Sequence, residues 1–248
     1  MDIKDYIFGT RAIIEALEAG KTLDKIMVKR DGSNVLLNEL FEKAKLYNVP
    51  VIKVPVEKLN RITRKNHQGA IAILSPVTYH KLEDLVPEIY ERGDVPFCVM
   101  LDGVTDARNF GAIARTCECA GVDFIVIPER NSASVTSDSV KASAGALFHI
   151  PVCREKDLSR SVSFLKDSGY KIIGASEKAI ENYTKTDMKV PLAIVMGAED
   201  TGISIDILRK CDDLVSIPIK GKIGSLNVGV ATGVLVYEVV RQRCNDKK

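Results

Sequence analysis

The chain has 248 residues, 46% of them hydrophobic and 27% charged, with a formal net charge of +2, the balance of a globular protein with one large domain or two ordinary ones. No stretch reaches the roughly 18 uncharged apolar residues of a membrane span, and the opening MDIKDYIFGT lacks a basic region followed by an apolar core. The six cysteines, at 98, 117, 119, 153, 211 and 244, contain no C-x-x-C pair, which argues against disulfide frameworks and metal sites and for a reducing, cytoplasmic setting.

In chain order, the pattern predicts a helix from Arg11 to Ala19, a strand from Lys25 to Lys29 and a helix from Val35 to Tyr47. A strand (Val51 to Val54), a short helix (Val56 to Ile62) and a strand (Ala70 to Leu74) follow. This alternation implies a small α/β/α domain over 1–75 with a mainly parallel sheet. It is the basic part of the chain, with 13 Lys and Arg against 9 Asp and Glu, or +4, which leaves −2 for the remainder. Residues 76–94, with Pro76, Pro87, Gly93 and many charges, read as a linker carrying one short helix around Leu82 to Glu91.

The second domain, 95–248, is dominated by three apolar runs, each followed by loop chemistry. Phe97–Leu101 leads into Asp102-Gly103-Val104-Thr105-Asp106-Ala107-Arg108-Asn109 and a helix from Phe110 to Ala120. Leu192–Met196 leads into Gly197-Ala198-Glu199-Asp200-Thr201-Gly202. Leu214–Ile217 leads through Gly221 and Gly224 to Ser225-Leu226-Asn227 and a helix to Val240 that is apolar around most of its circumference. In an open parallel sheet, loops leaving the carboxyl ends of strands converge, so three such loops describe a cleft. Taken singly, Asn109 reads as a helix cap, Glu199 and Asp200 as partners of the dipole of the helix that follows them, Arg115 as pairing with Glu118 or Asp123, and Ser225 and Asn227 as helix-starting residues. The G-x-G-x-x-G and G-x-x-x-x-G-K-[ST] fingerprints are absent, which argues against a dinucleotide dehydrogenase or an NTPase.

Taken in order, Asn109 with Arg115, Gly197-Ala198-Glu199 with Gly202, and Ser225-Leu226-Asn227 resemble the three motifs of the SpoU/TrmH branch of the SPOUT RNA methyltransferases. The resemblance covers 95–248 and implies an α/β fold with a C-terminal trefoil knot. It also implies transfer of a methyl group from S-adenosylmethionine to a ribose 2′-hydroxyl of RNA, and a homodimer joined through the C-terminal domain. It assigns Asn109, Arg115, Glu199, Ser225 and Asn227 to catalysis, and Met196, Gly197, Ile217 and Leu226 to the cofactor. Ala107 stands where many members have proline. Because an arginine stays protonated far above neutral pH, Arg115 is better suited to clamping phosphate and stabilising a developing alkoxide than to acting as a literal base.

The small domain also resembles a known module. Tyr6-Ile7-Phe8-Gly9 and His67-Gln68-Gly69-Ala70 match the L30e-like RNA-binding domain of the ribosomal-RNA members, and Arg61, Arg64, Lys65 and His67 cluster there as candidate RNA contacts. The combination points to the RlmB-like members, which act on a guanosine of 23S rRNA. A tRNA substrate, an enzyme of antibiotic resistance and a non-catalytic ribosome-assembly factor are the alternatives.

Overall fold

A computed structural model describes residues 6–31, 34–133 and 135–244; the first five residues, part of the opening read above for a leader, lie outside them. The chain divides into two compact units between Thr78 and Tyr79.

The first unit contains β1 (Tyr6–Phe8), α1 (Thr10–Glu18), β2 (Leu23–Lys29), α2 (Val35–Leu46), β3 (Val51–Val54), α3 (Val56–Ile62) and β4 (Ala70–Leu74). Side chains alternate across β2 and β4. Ile26, Val28, Ala70 and Ala72 pack with Ile13, Leu17 and Leu40 of α1 and α2. Met27, Ile71 and Ile73 pack on the other face with Leu59 of α3. The period of two thus builds the expected three layers. The strand directions differ from expectation. The order is β1-β4-β2-β3, and only β2 and β3 are parallel, while β4 runs antiparallel to both β1 and β2. The chain leaves α3 and enters the sheet on the side of β2 away from β3, and β4 begins after a type I′ turn in which Gln68 and Gly69 have φ of 53° and 83° and Ala70 N–H donates to the His67 carbonyl at 2.9 Å.

The second unit contains β5 (Tyr79–His80), α4 (Leu82–Glu91), β6 (Phe97–Asp102), α5 (Ala107–Cys119), β7 (Phe124–Pro128), α6 (Ser137–Ala142) and β8 (Val152–Glu155). It continues with α7 (Leu158–Asp167), β9 (Lys171–Ala175), β10 (Glu181–Asn182), β11 (Leu192–Gly197), α8 (Ile205–Leu208), β12 (Asp213–Ser216) and α9 (Val228–Cys244). Its strands form one sheet in the order β10-β12-β9-β11-β6-β7-β8-β5, every pair parallel. Both faces of the central strands are covered, which is why β6 and β11 are continuous apolar runs. Most of the segment expected as a linker belongs to this unit. β5 pairs with β8, and Leu82, Leu85, Val86 and Ile89, at helical spacing on α4, enter the main core beside Met100 and Phe124.

Helix α9 is buried on one side rather than around most of its circumference. Val228, Thr232, Leu235, Val236 and Val239 face inward, while Val230 and Tyr237 are 54% and 50% exposed.

Candidate active site

The carboxyl ends of β6, β9, β11 and β12 open on the same edge of the sheet, and β11 lies between β6 and β9 although it follows both in sequence. Such a reversal of strand order leaves a crevice. Met196, Gly197, Glu199, Ile217, Ser225 and Leu226 line one cleft there, enclosing about 640 Å³ with its open mouth included, the size of a small-molecule site. The four expected cofactor residues are among them. The sequence reading missed Ala175, Ser176 and Glu177, which close the cleft from the end of β9. Their signal was the Ile172-Ile173 run followed by Gly-Ala-Ser-Glu.

Backbone geometry forms one wall. Gly202, at φ 70°, closes the loop after β11, with Ala198 N–H donating to Gly202 O at 3.2 Å and Gly202 N–H to Ala198 O at 2.9 Å. A Cβ on Gly197 would lie 2.1 Å from the Gly202 carbonyl carbon, so no side chain fits between them. Asp102 Oδ2 accepts from Ser204 N–H at 2.7 Å and ties the end of β6 to the chain beyond this loop.

Asn227 joins all three motifs. Its Oδ1 accepts from Gly229 N–H at 3.0 Å and Val230 N–H at 3.4 Å and caps α9. Its Nδ2 donates to Asn109 Oδ1 at 3.0 Å and to Glu199 Oε1 at 2.6 Å. Glu199 Oε1 also accepts from Val228 N–H at 3.4 Å, placing a carboxylate at the positive end of α9. The helix whose dipole Glu199 meets is α9, not the one that follows it in sequence, and the side chain it holds is Asn227. Asn109 is not a helix cap. Asp106 caps α5, its Oδ1 accepting from Arg108 N–H at 2.9 Å and Asn109 N–H at 2.8 Å, and Asn109 sits one turn inside. Ala107 occupies the first helical position, where proline would also fit.

Arg115 stands apart from this junction. It lies six residues beyond Asn109 on α5, roughly 120° away around the helix axis, exposed, and it pairs with neither Glu118 nor Asp123. Asp123 Oδ2 accepts instead from Phe97 N–H at 2.8 Å, and burial raises its carboxyl above the usual range. Ser143, at the end of α6, is fully buried. Its hydroxyl donates to Val140 O at 2.8 Å, a packing role beneath α5.

In the first unit, a separate hollow is lined by Lys29, Asn34, Lys65, Asn66, His67 and Gln68. Lys65 and His67 thus come together, whereas Arg61 and Arg64 are exposed outside it. Both His67 ring nitrogens are engaged. Nδ1 accepts from Gly69 N–H at 3.0 Å, and Nε2 meets Asn60 Oδ1 at 2.9 Å. His67 braces the turn before β4 through these two bonds.

Among the described residues no helix is long and apolar enough to cross a membrane, and no group of three or more His, Cys, Asp or Glu is placed to hold a metal ion.

A cleft at the strand ends, walled by close backbone approach at Gly197 and by the apolar Ile217 and Leu226 and edged by polar groups, fits an adenosyl cofactor, and the junction beside it joins the three motifs of a methyltransferase. The family described as SpoU rRNA Methylase matches residues 96–237, and one described as RNA 2′-O ribose methyltransferase substrate binding matches residues 6–80. The chain is 36% identical over 239 residues, 96% of each chain, to YacO of Bacillus subtilis (strain 168), named as a TrmH family tRNA/rRNA methyltransferase. It is 35% identical over 237 residues, 96% of this chain and 95% of the other, to a Staphylococcus saprophyticus protein named for the same family. In fold it resembles an AdoMet-bound rRNA methyltransferase from Sinorhizobium meliloti, with a TM-score of 0.62, 25% identity, and coverage of 96% of this chain and 87% of that one. It also resembles AviRb from Streptomyces viridochromogenes in complex with AdoMet, with a TM-score of 0.62, 23% identity, and coverage of 97% and 90%. The chain belongs to the SpoU/TrmH family and is an RNA 2′-O-ribose methyltransferase that uses S-adenosylmethionine.

Proposed function

We propose that the enzyme methylates the ribose of a guanosine in 23S rRNA, in the manner of the RlmB-like members, with residues 1–75 selecting the RNA and 95–248 carrying the reaction. The observation that carries the catalytic part is the Asn227 junction, which fixes Asn109 and Glu199 in one geometry. S-adenosylmethionine supplies the methyl group when bound. Met196, Gly197, Ile217 and Leu226 hold it, and Ser225, Asn227, Asn109 and Glu199 position the target ribose. Positioning dominates such an in-line displacement. Arg115 grips a substrate phosphate and stabilises charge developing on the 2′-oxygen, a role supported by an exposed guanidinium with no partner among the described residues.

The same reading includes a homodimer through the C-terminal domain, supported by the exposed apolar stripe of Val230 and Tyr237 on α9. It further includes a trefoil knot near the C-terminus, an L30e-like character for the small unit, and a cytoplasmic setting. Arg61, Arg64, Lys65 and His67 contact the RNA, joined by Lys29 of the hollow.

Two experiments test it. Arg115→Lys keeps the charge but loses the planar fork, so turnover falls roughly 100-fold while S-adenosylmethionine affinity stays within about twofold. Near-normal turnover would remove Arg115 from the reaction. Replacing Arg61, Arg64 and Lys65 together with alanine weakens RNA binding and makes the dependence of log affinity on log salt shallower by about 2. An unchanged slope would place the RNA elsewhere.

A further inference from the structure

We infer that Glu177 makes the cofactor cleft prefer the cationic methyl donor over the neutral product left after transfer. Glu177 and Glu199 are the only charged side chains lining the cleft, which among the described residues has no lysine or arginine in its wall. Lys178, Lys220 and Lys222 are close in sequence to lining residues but do not line it. The two carboxylates are differently engaged. Glu199 is bound to Asn227 and the start of α9. Glu177 is exposed and has no hydrogen bond or ion pair among the described residues.

Its place on the rim is fixed by the backbone. Ser176 N–H donates to Val215 O at 2.9 Å and continues the pairing of β9 with β12, and Ala179 N–H donates to Ser176 O at 3.1 Å. Lys178 N–H reaches Ser176 Oγ at 3.3 Å. Glu177 is therefore the first residue inside a tight turn at the end of a core strand. The cleft is also lined by the apolar Val215, Ile217 and Leu226, and low-dielectric walls strengthen and focus a nearby charge.

The chemistry gives that charge a direction. S-adenosylmethionine carries a sulfonium, an ammonium and a carboxylate, and is cationic overall. Methyl transfer breaks the carbon–sulfur bond, leaves its electron pair on sulfur, bonds the methyl carbon to the ribose oxygen, and releases the hydroxyl proton. S-adenosylhomocysteine is left as a thioether with no net charge. An acidic rim attracts the first and is indifferent to the second, which favours exchange of product for fresh donor.

The test is calorimetric binding of S-adenosylmethionine and S-adenosylhomocysteine to the full-length protein and to Glu177→Gln, without RNA. Glu177→Gln should weaken binding of the sulfonium compound roughly 3- to 10-fold and leave the thioether within about twofold, a difference that shrinks in the wild type as salt is raised. Retained thioether binding is the control for an intact cleft. Equal weakening of both ligands would mean that Glu177 bonds a group they share, such as ribose hydroxyls, and would overturn the proposal, as would no change in either. Wild-type protein that binds neither compound would overturn the cofactor assignment together with this inference.

Discussion

Asn227→Ala should reduce methyl transfer by roughly 100-fold or more and lower the melting temperature by about 2–4 °C, two effects with separate causes. The thermal effect comes from the cap. Asn227 Oδ1 satisfies the amides of Gly229 and Val230 at the start of α9, and loss of such a cap costs about 1 kcal/mol. The kinetic effect comes from the other end of the amide, where Nδ2 links Asn109 to Glu199. Without that donor, a side chain from each of the other two motifs is free to turn, and a misplacement of about 1 Å is enough to cost 100-fold. Asn227→Ser separates the two, because serine caps a helix well but has no amide to donate to both partners. Its melting temperature should return close to the wild type while its turnover stays low. Asn227→Asp should also remain slow, since a second carboxylate would face Glu199 at the position of a 2.6 Å hydrogen bond. Wild-type turnover in the serine variant would show that the junction serves only to start α9.

Gly197→Ala should weaken cofactor binding at least 10-fold and destabilise the second unit by about 1–3 kcal/mol. The added carbon would lie 2.1 Å from the Gly202 carbonyl carbon and 2.2 Å from the Ile203 nitrogen. Those are backbone atoms, so relief requires the loop itself to move. Opening it sacrifices the paired hydrogen bonds between Ala198 and Gly202 and carries Glu199 away from Asn227. Cofactor titration and thermal melting check the two halves. Affinity within twofold of the wild type would mean that this loop is not the cofactor's wall. By contrast, alanine at Gly221 meets nothing within 4 Å and should leave the fold's stability unchanged within about 0.5 kcal/mol.

The site was legible in the sequence to the extent that it lies immediately after buried parallel strands. Phe97–Leu101 and Leu192–Met196 are apolar on both faces, so their ends and the polar loops beyond them stood out. β9 was less legible, because its apolar run is short and the place of Ala175, Ser176 and Glu177 beside β11 and β12 is set by strand order. The sequence pattern places the cap of α5 at Asn109, but Asp106, of an equally suited residue type and one turn earlier, holds that place. The isolation of Arg115 from the Asn227 junction depends on rotation about the α5 axis relative to neighbouring elements, which motif spacing alone did not fix.

In the first unit, alternating burial along β2 and β4 was readable, but period two carries no information about strand direction. Direction is set by where β4 joins the sheet, on the side of β2 away from β3. The His67 ring nitrogens engage Gly69 N–H, in the turn before β4, and Asn60. Prolines and charges obscured α4 as part of the second core, although its apolar residues at 82, 85, 86 and 89 already formed a helical stripe.

The most direct measurement is transfer of labelled methyl from S-adenosylmethionine to separated 23S rRNA, small-subunit rRNA and tRNA, with the modified atom mapped. The account predicts label on a guanosine ribose 2′-oxygen of 23S rRNA, lost in Arg115→Ala while cofactor binding persists. Label confined to tRNA, or on a base atom of any RNA, would contradict it.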